Sequence, residues 1–308
     1  MDAMPTRVCR LAPSPTGHLH LGNARTFLIA WLSARKSNAK LILRIEDIDT
    51  PRVRPEYVDS QLADLKWLGL GWDEGPVFQS QRLQLYRDAL EQLKKLEAVY
   101  PCTCTRKEIE QSASAPHADS EGPAYPGTCS QHSAKDAEAL GKRPYCWRFR
   151  FDRAPAFDDL FRGPMIRLDA KAIGGDFVVW RGEMPSYQLA VVVDDALMGV
   201  TEVIRGDDLI SSTPRQLALF EMLGFEAPRF GHVPLVFDEK GQRMAKRNDS
   251  TRLSNLREAG VSAETVIGRL AHSSGWMERE KRISARELLS FYDPSKVPLA
   301  TVAIDRIP

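Results

Sequence analysis

Two stretches of this chain hold most of the residues that could do chemistry. The first is Arg10-Leu11-Ala12-Pro13-Ser14-Pro15-Thr16-Gly17-His18-Leu19-His20-Leu21-Gly22-Asn23. It reads as a strand over Val8 to Ala12, a turn locked by Pro13 and Pro15, and a helix opened by His20-Leu21-Gly22. The apolar residues Leu21, Ala24, Phe27, Leu28, Trp31 and Leu32 share one face of that helix. A strand running through a tight loop into a helix N-terminus suits an anion, because unpaired backbone N–H groups and the helix dipole both favour phosphate. Gly22 lets a nucleotide come close to the backbone. Neither the Walker A spacing nor G-x-G-x-x-G occurs. The second stretch, Lys240 to Arg257, sets six Lys/Arg against Asp249 alone, a local balance of +5 in a chain of net charge +1. That overall balance argues against bulk electrostatic binding of nucleic acid, so phosphate or RNA contacts must come from such a local patch.

The five cysteines are odd in number and unevenly spaced, which argues against a disulfide framework and for a reducing, cytoplasmic location. Met1 to Pro15 lacks the apolar core of a signal peptide, and the apolar run Leu189 to Val193 stops at Asp194-Asp195, far short of a membrane span. Cys102-Thr103-Cys104 and Cys129 supply three thiolates, one short of a closed tetrahedral zinc site. Spacing alone leaves reduced structural cysteines and a metal site both open, with His117, His132 or Tyr125 as the fourth ligand. Cys9 and Cys146 read as core residues on strands.

Positioning these groups requires an ordered scaffold. A composition of 43% hydrophobic and 27% charged residues is that of a globular protein, and 308 residues allow two domains or one with a large insertion. Strand and helix alternate over the first hundred or so residues. A β-rich run from Lys40 to Ile45 leads into Glu46, and amphipathic helices follow at Pro55 to Leu68 and Ser80 to Ala98. This alternation implies a parallel sheet with helices on its faces and ligands at the carboxyl ends of its strands. The texture changes over 99–185. Ser112 to Gly127 reads as a loop, and Tyr145, Trp147, Phe149 and Phe151 alternate with polar residues as a half-buried strand, an insertion beside the sheet. Parallel-sheet character returns at Leu189 to Val193 and Glu202 to Ile204. From Ser254 the chain reads as helical and polar, with a helix starting near Val261 and presenting Val266 and Leu270 on one face.

The first stretch closely resembles the opening signature of the class I aminoacyl-tRNA synthetases, glutamyl branch, in which P-S-P-T-G precedes the "HIGH" tetrapeptide, here His20-Leu21-Gly22-Asn23. Arg243-Met244-Ala245-Lys246-Arg247 resembles the second signature, "KMSKS", in the right order and at the right separation. The resemblance runs from about residue 7 to about 252, more loosely beyond. It implies an α/β, Rossmann-type parallel sheet with a zinc-containing insertion, a short helical C-terminal region and no anticodon-binding domain. The boundaries it suggests are 1–98 and 186–250 for the two halves of the catalytic domain, 99–185 for an inserted acceptor-type subdomain, and 251–308 for a region like the family's stem-contact part.

By the same resemblance, the substrates are L-glutamate and ATP with Mg²⁺. Arg10, Leu11, Ala12, Pro13, Ser14, Glu46, Tyr187 and Arg205 match glutamate-binding positions, Glu46 pairing with the α-ammonium. A ligand with two carboxylates and one ammonium calls for at least one arginine fork and one acid, whereas each residue alone would be an ordinary ion pair. His20, Gly22, Asn23, Arg243 and Lys246 match the ATP site, with His20 and Lys246 in the catalytic roles. Asn23 for histidine, Arg243 for lysine and Ala245 for serine depart from the signatures and imply a slower rather than an abolished first step. Cys-x-Cys…Tyr-x-x-x-Cys resembles a short subfamily with a structural Zn²⁺, here on Cys102, Cys104, Tyr125 and Cys129. Tyr187-Gln188-Leu189-Ala190-Val191-Val192-Val193-Asp194-Asp195-Ala196 and Ser211-Ser212-Thr213-Pro214-Arg215-Gln216 resemble the same subfamily. Its members keep the catalytic core alone and transfer glutamate to queuosine in the anticodon loop of tRNA(Asp). The stretch after Arg252 is too short for a second domain of typical size, ~100–150 residues. A monomer without membrane contact is expected. The competing readings are a synthetase fragment charging a tRNA 3′ end and a non-catalytic RNA-binding paralogue, the latter favoured only by Ala245.

Overall fold

The computed structural model describes residues 7–49, 51–112, 124–237 and 252–303. Strand β1 (Val8–Leu11), helix α1 (Leu21–Lys36), β2 (Lys40–Ile45), α2 (Pro55–Trp67), β3 (Glu74–Phe78) and α3 (Leu83–Lys95) follow in turn. The next segment holds β4 (Val99–Cys102), α4 (Arg106–Ser112), β5 (Cys146–Phe149), β6 (Phe157–Asp159), β7 (Gly163–Ile166), β8 (Phe177–Arg181) and β9 (Met184–Pro185). The chain returns through α5 (Tyr187–Leu197), β10 (Glu202–Gly206), α6 (Ser212–Leu223), β11 (Arg229–Val233) and β12 (Val236–Phe237). It ends with α7 (Leu253–Glu258), α8 (Ala263–Ser273), α9 (Ala285–Leu288) and β13 (Val302–Ala303), which pairs with β12.

A seven-stranded sheet in the order β3-β2-β1-β10-β11-β6-β7 forms the frame, parallel except at its last pair. The order reverses between β1 and β10, where the loops after neighbouring strands part and leave a crevice at the carboxyl ends. Arg10 lies in β1, Glu46 directly follows β2, and Arg205 lies in β10, so three separate strands aim at one place.

Four expectations need correction. Leu189 to Val193 is not a strand but the middle of α5, whose Ser186 side chain accepts the Leu189 N–H as an N-cap. A short apolar run has no period of its own, and α5 is buried over Gln188 to Asp195, so its sequence cannot display an amphipathic stripe. β5 is buried along its whole length rather than on one face, because Trp147 and Phe149 face one hydrophobic cluster while Cys146 faces the cysteine cluster on the other side. The C-terminal region is not merely polar: beyond the expected Val266 and Leu270 face of α8, Leu288 at the end of α9 and Trp276 and Tyr292 just after the helices pack into the same core as Leu28 and Leu41. The 99–185 segment, moreover, is not simply laid beside the sheet. β4, β5, β8 and β9 form a separate antiparallel sheet, but β6 and β7 join the main one as its outer strands.

Candidate active site

The loop after β1 is fixed by its own backbone. The Glu46 N–H donates to Pro13 O at 3.0 Å, the Ser14 hydroxyl donates to Glu46 O at 3.2 Å, and the Gln61 amide donates to Ser14 O and Gly17 O at 3.0 and 2.7 Å. Alternation along β1 then decides which side chains can meet a ligand. Arg10 and Ala12 line a cavity of about 770 Å³ together with Pro13 and Ser14. Leu11 points the other way, is fully buried in the core and does not line this cavity.

At the start of α1, His20 is the N-cap in extended conformation. Its Nδ1 accepts from the Gly22 and Asn23 N–H groups at 3.1 and 3.4 Å, and Asn23 Oδ1 accepts the His20 N–H at 3.2 Å, closing a reciprocal capping box. The backbone donors expected to face a phosphate are therefore taken by His20 itself. With Nδ1 an acceptor, a neutral ring carries its proton on Nε2. A Cβ at position 22 would lie 3.0 Å from Cε1 and Nδ1 of this ring, so glycine is what lets His20 fold over the helix end.

Glu46 reaches the cavity from behind a buried ion cluster. Arg44, with no exposed surface, holds Asp195 Oδ1 at 2.7 Å, Glu46 Oε1 at 3.1 Å and Asp194 Oδ2 at 3.8 Å. Asp194 also accepts from Gln79, Arg82 and Tyr86 at 2.7–2.8 Å, and Arg10 Nε lies 3.5 Å from Asp195 Oδ1. Burial pushes the Glu46 carboxyl up, against the opposing pull of Arg44 and Arg10. Burial likewise pushes the Tyr187 phenol up and the Arg205 guanidinium down, each countered in part by the other. Glu46, Tyr187 and Arg205 line the same cavity as His20, Gly22 and Asn23.

One cavity thus gathers every described candidate for the glutamate and ATP sites except Leu11. Arg243, Ala245 and Lys246 lie outside the described residues. Sequence reasoning missed Asp194 and Asp195, visible only as acids ending an apolar run, and His18, which lines the cavity and has Nδ1 3.0 Å from Ser60 Oγ. Among the described residues, no helix is long and apolar enough to cross a membrane.

A second cluster lies in the separate antiparallel sheet. The sulfurs of Cys102, Cys104 and Cys129 lie within 4.8 Å of one another. The Tyr125 hydroxyl sits 3.4 Å from Cys102 Sγ and 3.9 Å from Cys104 Sγ, and accepts the Cys129 N–H at 2.8 Å. His132 is turned away, with Nδ1 3.1 Å from Pro101 O, and His117 is outside the described residues. Arg148 donates Nε–H to Cys102 Sγ at 3.2 Å and lies over the Tyr125 ring, 3.8 Å from its centre. Hydrogen bonding, from Cys146 above all and then from Tyr125 and Arg148, holds the Cys102 thiol well below the usual range, so a thiolate is favoured here. Three soft sulfurs this close together fit the sulfur ligands of a tetrahedral zinc ion, with the Tyr125 oxygen beside them. Cys102→Ser should lower bound zinc from one per chain to under about half at equal chelator, read by elemental analysis. Unchanged metal content would remove the cluster from metal binding.

Residues 7–300 match the family model for tRNA synthetases class I (E and Q), catalytic domain. A glutamyl-Q tRNA(Asp) synthetase of Symbiobacterium thermophilum is 50% identical over 309 residues, which covers 96% of this chain and 95% of that protein. The chain belongs to this family. Another glutamyl-Q tRNA(Asp) synthetase, from Rhodopirellula baltica, is also 50% identical, over 88% of this chain and 86% of its own length. A glutamate–tRNA ligase of Geobacter sulfurreducens is 42% identical over 90% of the chain, but only 59% of the ligase is covered. The glutamyl-Q family therefore corresponds to this chain nearly end to end, and the full ligase only in part. The crystal structure of the glutamate–tRNA synthetase from Elizabethkingia anophelis superposes with a TM-score of 0.81 at 28% identity, over 97% of this chain and 68% of that one.

Proposed function

We propose that the chain joins L-glutamate to ATP as glutamyl-adenylate without needing tRNA, and then transfers the glutamyl group to the cyclopentenediol of queuosine in the anticodon loop of tRNA(Asp). The observation that carries the first half is a single cavity whose lining brings Glu46, Arg10 and Arg205 together with the helix N-terminus capped by His20. The second half rests on the glutamyl-Q relatives, which match over nearly their whole length.

The reaction needs no side-chain nucleophile. The substrate's α-carboxylate is ionised at neutral pH and attacks the α-phosphorus, while the bond to the leaving pyrophosphate breaks. Catalysis is then positioning and charge stabilisation. Glu46 pairs with the α-ammonium, and Arg10 and Arg205 take up carboxylate charge. His20 is assigned to the ATP phosphates and Lys246 to the charge that develops on the leaving pyrophosphate, and ATP brings Mg²⁺ with its phosphates. In the second step a hydroxyl of the diol attacks the acyl carbon, AMP leaves, and the hydroxyl proton is released. Zn²⁺, held by Cys102, Cys104, Tyr125 and Cys129, would cross-link the inserted sheet without entering the chemistry.

ATP–pyrophosphate exchange with glutamate and no tRNA tests the first step, and absence of exchange overturns it. Labelled glutamate with tRNA(Asp) containing or lacking queuosine tests the acceptor, and equal labelling of both overturns that half. In the same exchange assay, Lys246→Ala should cost about 10²–10³ in rate, as loss of a charge-stabilising group does. Glutamate binding should be largely retained, and near-normal exchange would take Lys246 out of the mechanism.

A further inference from the structure

Arg205 is held from behind by a buried chain that ends in the inserted segment. His232, on β11, presents Nε2 to Arg205 Nε–H at 3.1 Å. Its Nδ1 meets Asp159 Oδ2 at 2.6 Å, and Asp159 sits on β6. Asp159 also accepts the main-chain N–H of His232, Phe161 and Arg162, so its carboxylate is fully ligated and can only accept. That forces the His232 Nδ1 to carry the proton and leaves the Nε2 lone pair as the acceptor that Arg205 Nε–H and the Thr213 hydroxyl, each at 3.1 Å, both face. The imidazole is fully buried and lies parallel to the Phe230 ring, with its edge to Phe157. Neither rotation nor tautomer exchange is available without breaking this set.

We propose that His232 and Asp159 are positioning residues for glutamate recognition: the pair fixes the direction of Arg205 Nε–H and so aims the guanidinium at the substrate carboxylate. The proposal rests on Arg205 being a glutamate ligand, as above. An arginine has a long flexible stem, and an unsupported one loses that freedom each time a ligand binds. Here the back of the fork is already spent. Nε–H goes to His232, NH1 to Gln216 Oε1 at 2.7 Å, and NH2 to Thr213 Oγ1 at 2.8 Å and Leu209 O at 3.3 Å, so four of the five N–H groups are held and the fork keeps one direction toward the cavity. A protonated imidazole would instead turn a second cation and a competing donor toward Arg205. Burial, with Arg205 itself contributing, pushes the His232 pKa down to about 4, so the neutral acceptor persists through the working range.

The topology gives the pair a further meaning. Asp159 comes from the 99–185 segment, and β6 meets β11 at Phe230–Asp159 in the main sheet. Seating of the inserted segment thereby reaches the glutamate pocket through two side chains.

The test is ATP–pyrophosphate exchange by the full chain, with KM measured separately for glutamate and ATP and folding followed by calorimetry. His232→Leu should raise the glutamate KM about 10- to 100-fold, the cost of losing a hydrogen bond to a charged group. The ATP KM should stay unchanged. His232→Gln, whose Oε1 can accept from Arg205, should recover most of the loss. Asp159→Asn should raise the glutamate KM as well, because an amide can donate to Nδ1 and leave Nε2–H facing Arg205. An unchanged glutamate KM in Asp159→Asn and His232→Leu overturns the proposal, as does an equal rise for ATP. If His232→Leu does not fold, Asp159→Asn and His232→Gln decide by the same criteria. Two controls separate this from failure of the underlying reading: wild-type protein with no exchange refutes glutamate activation, and Arg205→Ala with a normal glutamate KM refutes Arg205 as a ligand.

Discussion

Arg44→Met should destabilise the protein by about 3–5 kcal/mol, the usual cost of leaving buried charge without its partner. The side chain sits between three carboxylates, nearest Asp195 at 2.7 Å and Glu46 at 3.1 Å. Methionine fills similar space but cancels none of their charge. Arg82 and Arg10 still touch Asp194 and Asp195, which places the effect toward the lower end of that range. Against a typical total stability of ~5–15 kcal/mol, this is a large share. At ~2–4 °C per kcal/mol, the melting temperature should fall by roughly 10 °C at neutral pH. The deficit should shrink as pH falls. Without Arg44 the Glu46 carboxyl loses the main charge that opposes the upward push of burial, and protonation then relieves repulsion that the wild type does not suffer. A shift under about 2 °C at neutral pH would show that the cluster is not held by Arg44.

The second large effect is on binding rather than folding. Glu46→Gln keeps the shape of the side chain and removes its charge. The glutamate KM in pyrophosphate exchange should rise about 10- to 100-fold, since a charge-assisted pairing with the α-ammonium is exchanged for a neutral one. Folding should be preserved and slightly eased, because burial penalises the Glu46 carboxylate and the amide escapes that penalty. Arg44 retains Asp195 and Asp194 as counter-charges. A normal KM for glutamate would remove Glu46 from ammonium recognition, and a parallel rise for ATP would point to general collapse of the cavity.

Much of this was legible in the residues, and the illegible parts have physical causes. β2 could be read because its aliphatic run ends at Glu46, and α8 because Ser262 caps it, accepting the Thr265 N–H. The site could be read where motif and strand end coincide, at Arg10, Ser14, His20 and Glu46. α5 could not, since a helix buried nearly all round shows no stripe. The partners of the ion cluster were also hidden. Arg44 and Asp195 are 151 residues apart, and nothing in either segment names the other. The same holds for Asp159 and His232, 73 residues apart, whose relation depends on β6 entering the main sheet. Local sequence encodes elements and short-range caps, whereas buried polar pairs become visible only when topology brings distant segments together.

The central position of β1 has a consequence for how the chain is made. Its neighbour β10 pairs Cys9 with Glu202, 193 residues downstream. At ~5–20 residues per second, the first strand waits about 10–40 s on the ribosome before that partner exists. Until then one edge of β1 is an open template beside β2, and the inserted sheet is complete before the catalytic sheet it interrupts. Closing so long a loop is entropically slow, so the pairing of β10 with β1 is expected to lag behind the local elements on either side of it. The cavity opens at that same seam, and the chain acquires its catalytic pocket only when its two halves meet.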